Sequence, residues 1–193
     1  MQMKYFTLAS AVAAALAFAS SAQAASTTGG TITFTGVVND ATCTVSGGSG
    51  TDGGTGNFSV ALDPVNANLL GAAGNTANPK VFDVIIGGPG QGTCEDGKIA
   101  SMSFLPSSTQ IDPVTGALKN VLVGEATNVQ IELADDAAQL IDLSVPGQSW
   151  DATIGSVAPN TGKLQFQAHY LAVNGAATPG LVNTNVVYSV VYN

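Results

Sequence analysis

The chain has 193 residues, among them 13 acidic residues, five lysines and a single histidine, and a net charge of −8. It contains no arginine and its lysines are scattered, so it lacks the clustered cationic surface that nucleic acid or an anionic membrane requires. A Ser-His-Asp site would have to use His169, the only histidine, and no Gly-x-Ser-x-Gly elbow accompanies it, which argues against a hydrolase.

Lys4 precedes an apolar, alanine-rich run from Leu8 to Phe18, and Ser20-Ser21-Ala22-Gln23-Ala24-Ala25 follows. A basic start, a short apolar stretch and an Ala-x-Ala site predict a cleaved secretory signal peptide over residues 1–24. The run falls short of the about 20 apolar residues that a membrane span needs. Cleavage after Ala24 gives a mature chain of 169 residues (193 − 24), with four lysines against 13 acidic residues (4 − 13 = −9). That length suits one domain with a sizeable core.

Residues 25–30 are small, and an alternating segment follows them. Ile32, Phe34, Gly36 and Val38 share one face, while Thr31, Thr33, Thr35 and Val37 share the other. Period-two alternation marks a strand with one buried face. A glycine inside such a strand marks a place where another backbone comes close. Cys43 and Cys94 are the only cysteines. An exported chain meets an oxidising compartment, and neither cysteine has a metal-ligating neighbour in sequence, so they are expected to form a disulfide.

Further along, short apolar runs recur between turn signals. Strands are predicted over Ala41–Ser46, Asn57–Leu62, Lys80–Ile86, Ile99–Leu105, Ala117–Val123, Asn128–Leu133, Leu140–Leu143 and Lys163–Val173. Gly47–Gly56, Gly71–Pro79, Gly87–Gly92, Asp112–Gly116 and Asn174–Gly180 read as loops, and Ala134–Gln139 as a helical turn. The loop at Gly87–Gly92 lacks the lysine of a phosphate-binding loop. Asp52-Gly53-Gly54 lacks the alternating ligands of a calcium loop. Asp135 and Asp136, adjacent on extended chain, point to opposite faces and read as a solvated turn. No cofactor or metal is expected.

The last segment is the clearest. Thr184, Val186, Tyr188, Val190 and Tyr192 fall on one face of a strand over Asn183–Tyr192, with only Asn193 after it. A strand in that position is expected to form a sheet edge, and an open edge invites a partner. The whole pattern predicts an all-β, immunoglobulin-like sandwich. Residues 31–38 and 184–192 also fit an ordinary first and last strand paired within their own domain, and alternation by itself does not separate the two readings.

A resemblance does. Gly29 to Val38, with the sequence Gly-Gly-Thr-Ile-Thr-Phe-Thr-Gly-Val-Val, followed by Cys43, resembles the N-terminal extension and first cysteine of chaperone–usher pilins, in particular type 1-like major fimbrial subunits. Phe166-Gln-Ala-His-Tyr170 and Gly175-Ala-Ala-Thr-Pro-Gly180 resemble the segments leading into that family's last strand. Gly180 lies fourteenth from the end and Tyr192 is penultimate, which matches the family's chaperone-recognition spacing. Gly47–Gly56 departs from the pattern as a glycine-rich insertion, and His169 stands where a basic residue is common.

The resemblance implies an incomplete immunoglobulin-like sandwich, open along its core and completed by a donor strand from a neighbouring subunit. Its domains would be an N-terminal extension over 25–39 and a pilin domain over 40–193. Its partners would be identical or related subunits, a periplasmic chaperone and an outer-membrane usher, with export through the periplasm to a surface fimbria that supports adhesion. Ile32, Phe34, Gly36 and Val38 would form the donor strand. Gly180, Thr184, Val186, Tyr188, Val190, Tyr192 and Asn193 would form the strand that meets chaperone and donor, with the Asn193 carboxylate held by a basic pocket of the chaperone.

Strand addition of this kind draws affinity from main-chain hydrogen bonds and specificity from alternate side chains. Each large donor side chain would contribute roughly 1.5–3 kcal/mol on burial, and a one-residue slip would turn the threonines inward. The rival reading is a monomeric secreted β-sandwich that binds carbohydrate, which would place aromatics together on exposed loops.

Overall fold

The computed structural model describes residues 43–193. The signal peptide and the donor segment with Ile32, Phe34, Gly36 and Val38 lie outside the described residues. Among the described residues nine strands are formed in chain order: β1 (Val45–Gly47), β2 (Thr76–Gly87), β3 (Ile99–Phe104), β4 (Leu118–Lys119), β5 (Val129–Asp135), β6 (Leu140–Ile141), β7 (Trp150–Thr153), β8 (Thr161–Ala172) and β9 (Tyr188–Tyr192). A single 3₁₀ turn, Ala67–Leu70, is the sole helical element among the described residues, and Asn66 caps it by accepting from the Asn68 N–H.

All pairs are antiparallel. The larger sheet runs β1-β2-β8-β5-β4, and β6 also pairs with β5; the smaller sheet runs β7-β3-β9. The long β2–β8 ladder sets Phe82 opposite Phe166 and Val84 opposite Leu164. Because side chains alternate, Phe82, Val84, Ile86, Leu164 and Phe166 all turn inward, where they are at most 8% exposed. Met102 and Ala100 of β3 and Ala152 of β7 meet them from the other sheet, so one core fills the space between two layers. At its centre Phe166 packs against Phe82, Phe104 and Trp150, with ring centroids 5.3–5.8 Å apart. The outer face of the larger sheet is polar. There Asp83 accepts from Gln165 at 2.8 Å, and His169 pairs with Glu132 at 2.8 Å.

Several expectations are corrected here. Asn57–Leu62, expected as a strand, has alternating faces but belongs to no ladder among the described residues. Ala134–Gln139 is a tight β-hairpin turn between β5 and β6. In it the Asp135 carboxylate accepts from the N–H groups of Ala137 and Gln139, and Ala138 has φ of 58°. Ala117–Val123 contracts to the two residues of β4, and Asn183–Tyr192 to the five of β9. β2 begins earlier than expected, at Thr76, because Asn78 at φ of 57° makes an irregularity between Ala77 and Lys80 that carries the ladder past Pro79.

The disulfide is formed between Cys43 and Cys94. It ties the chain ahead of β1 to the loop after β2. The glycine-rich segment 47–56 folds back along β2 rather than hanging free. Gly48 N–H donates to the Asp83 carbonyl and Asp83 N–H to the Ser49 carbonyl, both at 2.8 Å. Gly50 has φ of +80°, and a Cβ there would sit 2.2 Å from the Val81 carbonyl oxygen, so only glycine admits this approach.

Candidate functional site: an open apolar groove

The two sheets do not close along one side. A groove of about 650 Å³ runs there, between the segment Gly56–Leu62 and the segment Val182–Tyr188. Its floor is the core itself: Phe82 of β2, Met102 and Phe104 of β3, Ile131 and Leu133 of β5, and Ala168 of β8. No charged side chain lines it among the described residues.

Both banks alternate. Phe58, Val60 and Leu62 turn toward the core, whereas Asn57, Ser59 and Ala61 are exposed. On the opposite bank Val182, Thr184, Val186 and Tyr188 are half-buried, whereas Leu181, Asn183, Asn185 and Val187 are exposed. The face foreseen for Thr184, Val186, Tyr188, Val190 and Tyr192 is therefore the face turned inward. Its second half pairs in β9, with Val190 opposite Met102 and Tyr192 opposite Ala100, and Asn193 exchanges main-chain hydrogen bonds with Ile99 at 2.9 and 3.0 Å.

The first half of the same segment is different. Among the described residues, the main chains of Thr184, Asn185 and Val186 make no hydrogen bond, and neither do those of Val60, Ala61 and Leu62 across the groove. Their neighbours are fixed from behind: Asn183 and Val187 carbonyls accept from Val121 and Leu105 N–H groups. Two extended segments thus face each other over an apolar floor with N–H and C=O groups that are unpaired among the described residues. Backbone groups left this way seek partners, and the geometry has room for one further strand.

One end of the groove is bridged. The Tyr188 hydroxyl donates to the Gly56 carbonyl, and its ring packs on Phe58 with centroids 5.9 Å apart. Further along, the Tyr192 hydroxyl donates to the Cys43 carbonyl at 3.1 Å. Burial raises the phenol pKa of both tyrosines above the ordinary 10.0, and Tyr192 is raised further by Tyr188 nearby. At the other end Val182 joins Leu70, Ala126 and Val129 in a small second cluster. Gly180 enters this bank with φ of +153°; a Cβ on it would lie 2.3 Å from the Ala126 nitrogen. The glycine thus lets residues 180–181 approach the 125–126 loop, where Leu181 N–H donates to the Glu125 carboxylate. The role of Val182 and of the Phe58–Leu62 bank was missed in the sequence, although the alternation of Phe58, Val60 and Leu62 was legible.

An immunoglobulin-like sandwich with a strand-sized gap along its core is the architecture of pilus subunits, and comparisons with known proteins agree. Among solved structures, the fold is shared with the P pilus rod subunit PapA (TM-score 0.52, 19% identity, 84% of this chain and 100% of that one). It is shared also with a type I fimbria protein and antigen of Burkholderia pseudomallei (TM-score 0.51, 22% identity, 78% and 100%). In sequence, the major fimbrial subunit SMF-1 of Stenotrophomonas maltophilia is 35% identical over 88% of this chain and 96% of its own. The type-1 fimbrial protein A chain of Escherichia coli is 32% identical over 98% and 100%. The family described as Fimbrial protein matches residues 32–193. The chain belongs to that fimbrial protein family, as a type 1-like subunit and a structural component of a surface fimbria.

The carbohydrate-binding alternative is not favoured. The described aromatics do not gather on exposed loops. Phe58, Phe82, Phe104, Trp150, Phe166, Tyr170, Tyr188 and Tyr192 all lie in or against the core.

Proposed function

We propose that this subunit polymerises by strand insertion, with residues 31–38 of one copy filling the groove of the next. The single observation that carries the reading is the pair of main-chain segments, 60–62 and 184–186, unpaired among the described residues and facing each other over an uncharged apolar floor. Ile32, Phe34 and Val38 supply apolar side chains for that floor, and the strand supplies N–H and C=O groups to both banks. A contact in which one end of a copy enters the groove of another is heterologous and does not close, so it generates a fibre. On this reading 25–39 is the donor extension and 40–193 the receiving domain.

Before assembly the same gap needs a temporary occupant, because an exposed strand-accepting edge aggregates. A periplasmic chaperone lending a strand to the bank 182–192, and an outer-membrane usher at which donor replaces chaperone, fit that need. Transit through the periplasm also fits the Cys43–Cys94 disulfide.

The test uses the full chain, residues 1–193, expressed with chaperone and usher so that the mature subunit reaches the periplasm. Phe34→Ser and Gly36→Arg are expected to leave the subunit folded and exported yet to abolish fibres in electron micrographs. Fibres of normal length and stability from both variants would show that residues 31–38 do not fill the groove.

A further inference from the structure

Thr184 departs from its surroundings. The inward row of its bank is otherwise Val182, Val186 and Tyr188, and Tyr188 already has a partner for its hydroxyl in Gly56. The Thr184 hydroxyl oxygen is shielded from solvent and has no hydrogen-bond partner, the only such side-chain atom among the described residues. No charged side chain lines the groove around it, and among the described residues the main chain of residues 184–186 is unpaired as well. A buried hydroxyl is normally hydrogen-bonded, because leaving it unpaired forfeits its hydration without return. Valine in its place would have suited the floor better. The missing partner must come with whatever fills the groove.

An inserted strand offers main-chain carbonyls, but a side chain facing Thr184 would hold the two backbones apart. Only Gly36 in the row Ile32, Phe34, Gly36 and Val38 lacks a Cβ. We propose that Thr184 is a specificity-determining residue of the groove, its hydroxyl donating to a main-chain carbonyl of the inserted strand at Gly36 of the incoming copy. This rests on the strand-insertion reading above and adds what alternation cannot supply. A slip of one residue is forbidden because it turns threonines inward. A slip of two keeps the apolar face inward and is not forbidden by alternation. It sets Phe34 or Val38 against Thr184 and buries the hydroxyl unpaired beneath a side chain. The Thr184–Gly36 pair therefore selects among the registers that apolar contact alone leaves equivalent, and it disfavours donor strands with a side chain at that place.

The test follows dissociation of purified fibres of the mature chain at a fixed concentration of guanidinium chloride. Thr184→Val keeps the shape and removes the hydroxyl, and is expected to dissociate about tenfold faster, the scale of one lost hydrogen bond. Thr184→Ser keeps the hydroxyl and is expected to stay near the native rate. A valine chain that assembles no fibre while the serine chain does points the same way. In a Gly36→Ala background the valine substitution should change the rate by less than about twofold, because interacting sites are not additive. Valine fibres as slow as native ones, serine fibres faster than valine fibres, or additive effects with Gly36→Ala would overturn the inference. Assembly of the Phe34→Ser chain addresses the underlying reading separately. If it forms fibres that dissociate like native ones, strand insertion itself fails; if it forms none while Thr184→Val fibres hold like native ones, only the role of Thr184 fails.

Discussion

The segment Val182–Tyr192 is one alternating run with two fates. From Tyr188 onward it is laddered to β3, residue against residue, over Met102 and Phe104. From Val182 to Val186 it keeps the same inward and outward faces, yet among the described residues the main chain of residues 184–186 is unpaired. The side-chain pattern does not distinguish the halves; only the presence of a neighbour does. Periodicity thus reports which face seeks a core, and says nothing of whether the backbone has company.

The sharpest way to separate the closed part of the molecule from the open part is to damage each. Phe166 is fully buried among three aromatic rings. Phe166→Ala is expected to destabilise the domain by about 4 kcal/mol, read as the unfolding midpoint in denaturant, whether or not the groove is filled. Replacing both Cys43 and Cys94 by serine is expected to cost about 3 kcal/mol, by freeing a loop that the disulfide closes across a separation of 51 residues. This too should be seen equally in monomer and fibre. Val186→Ser belongs to the open bank. Monomers held unassembled by Phe34→Ser should lose less than about 1 kcal/mol, whereas fibres should lose about 2 kcal/mol, the worth of a buried apolar side chain. Equal losses in both states would erase the distinction drawn here.

The smallest effect expected is alkaline. Burial raises the pKa of Tyr188 and Tyr192 above the ordinary 10.0, so the folded state favours the neutral phenols. Their contribution is fully present below pH 10 and is lost as the pH rises through the raised values. The denaturation midpoint should therefore fall more steeply above pH 10 in the native chain than in Tyr188→Phe. Parallel curves would remove the bank tyrosines from the account.

Much of this architecture was legible in the sequence. The strands β2, β5 and β8 read directly as apolar runs between turn signals, and their inward rows form the core. What escaped had specific causes. β7 is four residues long with one fully buried side chain, Ala152, too little signal for a period to show. The Ala134–Gln139 stretch is alanine-rich, but Asp135 caps a tight turn with its own carboxylate, a side-chain-to-backbone competition that composition does not reveal. Asn57–Leu62 has the pattern of a strand but joins no ladder among the described residues, so the pattern was right and the ladder was not. Thr184 looked like one more member of an alternating face, and its unpaired hydroxyl emerges only when the packing around it is seen.

The disulfide has a mechanical side. On the strand-insertion reading, tension on residues 31–38 reaches Cys43, and the sulfur bridge ties that point to Cys94 after β2. The chain between the two cysteines, a separation of 51 residues that includes the 58–62 bank, is closed into a covalent loop and cannot be drawn out. At about 3.5 Å per extended residue, some 180 Å of slack per subunit is never paid out, however hard the fibre is drawn.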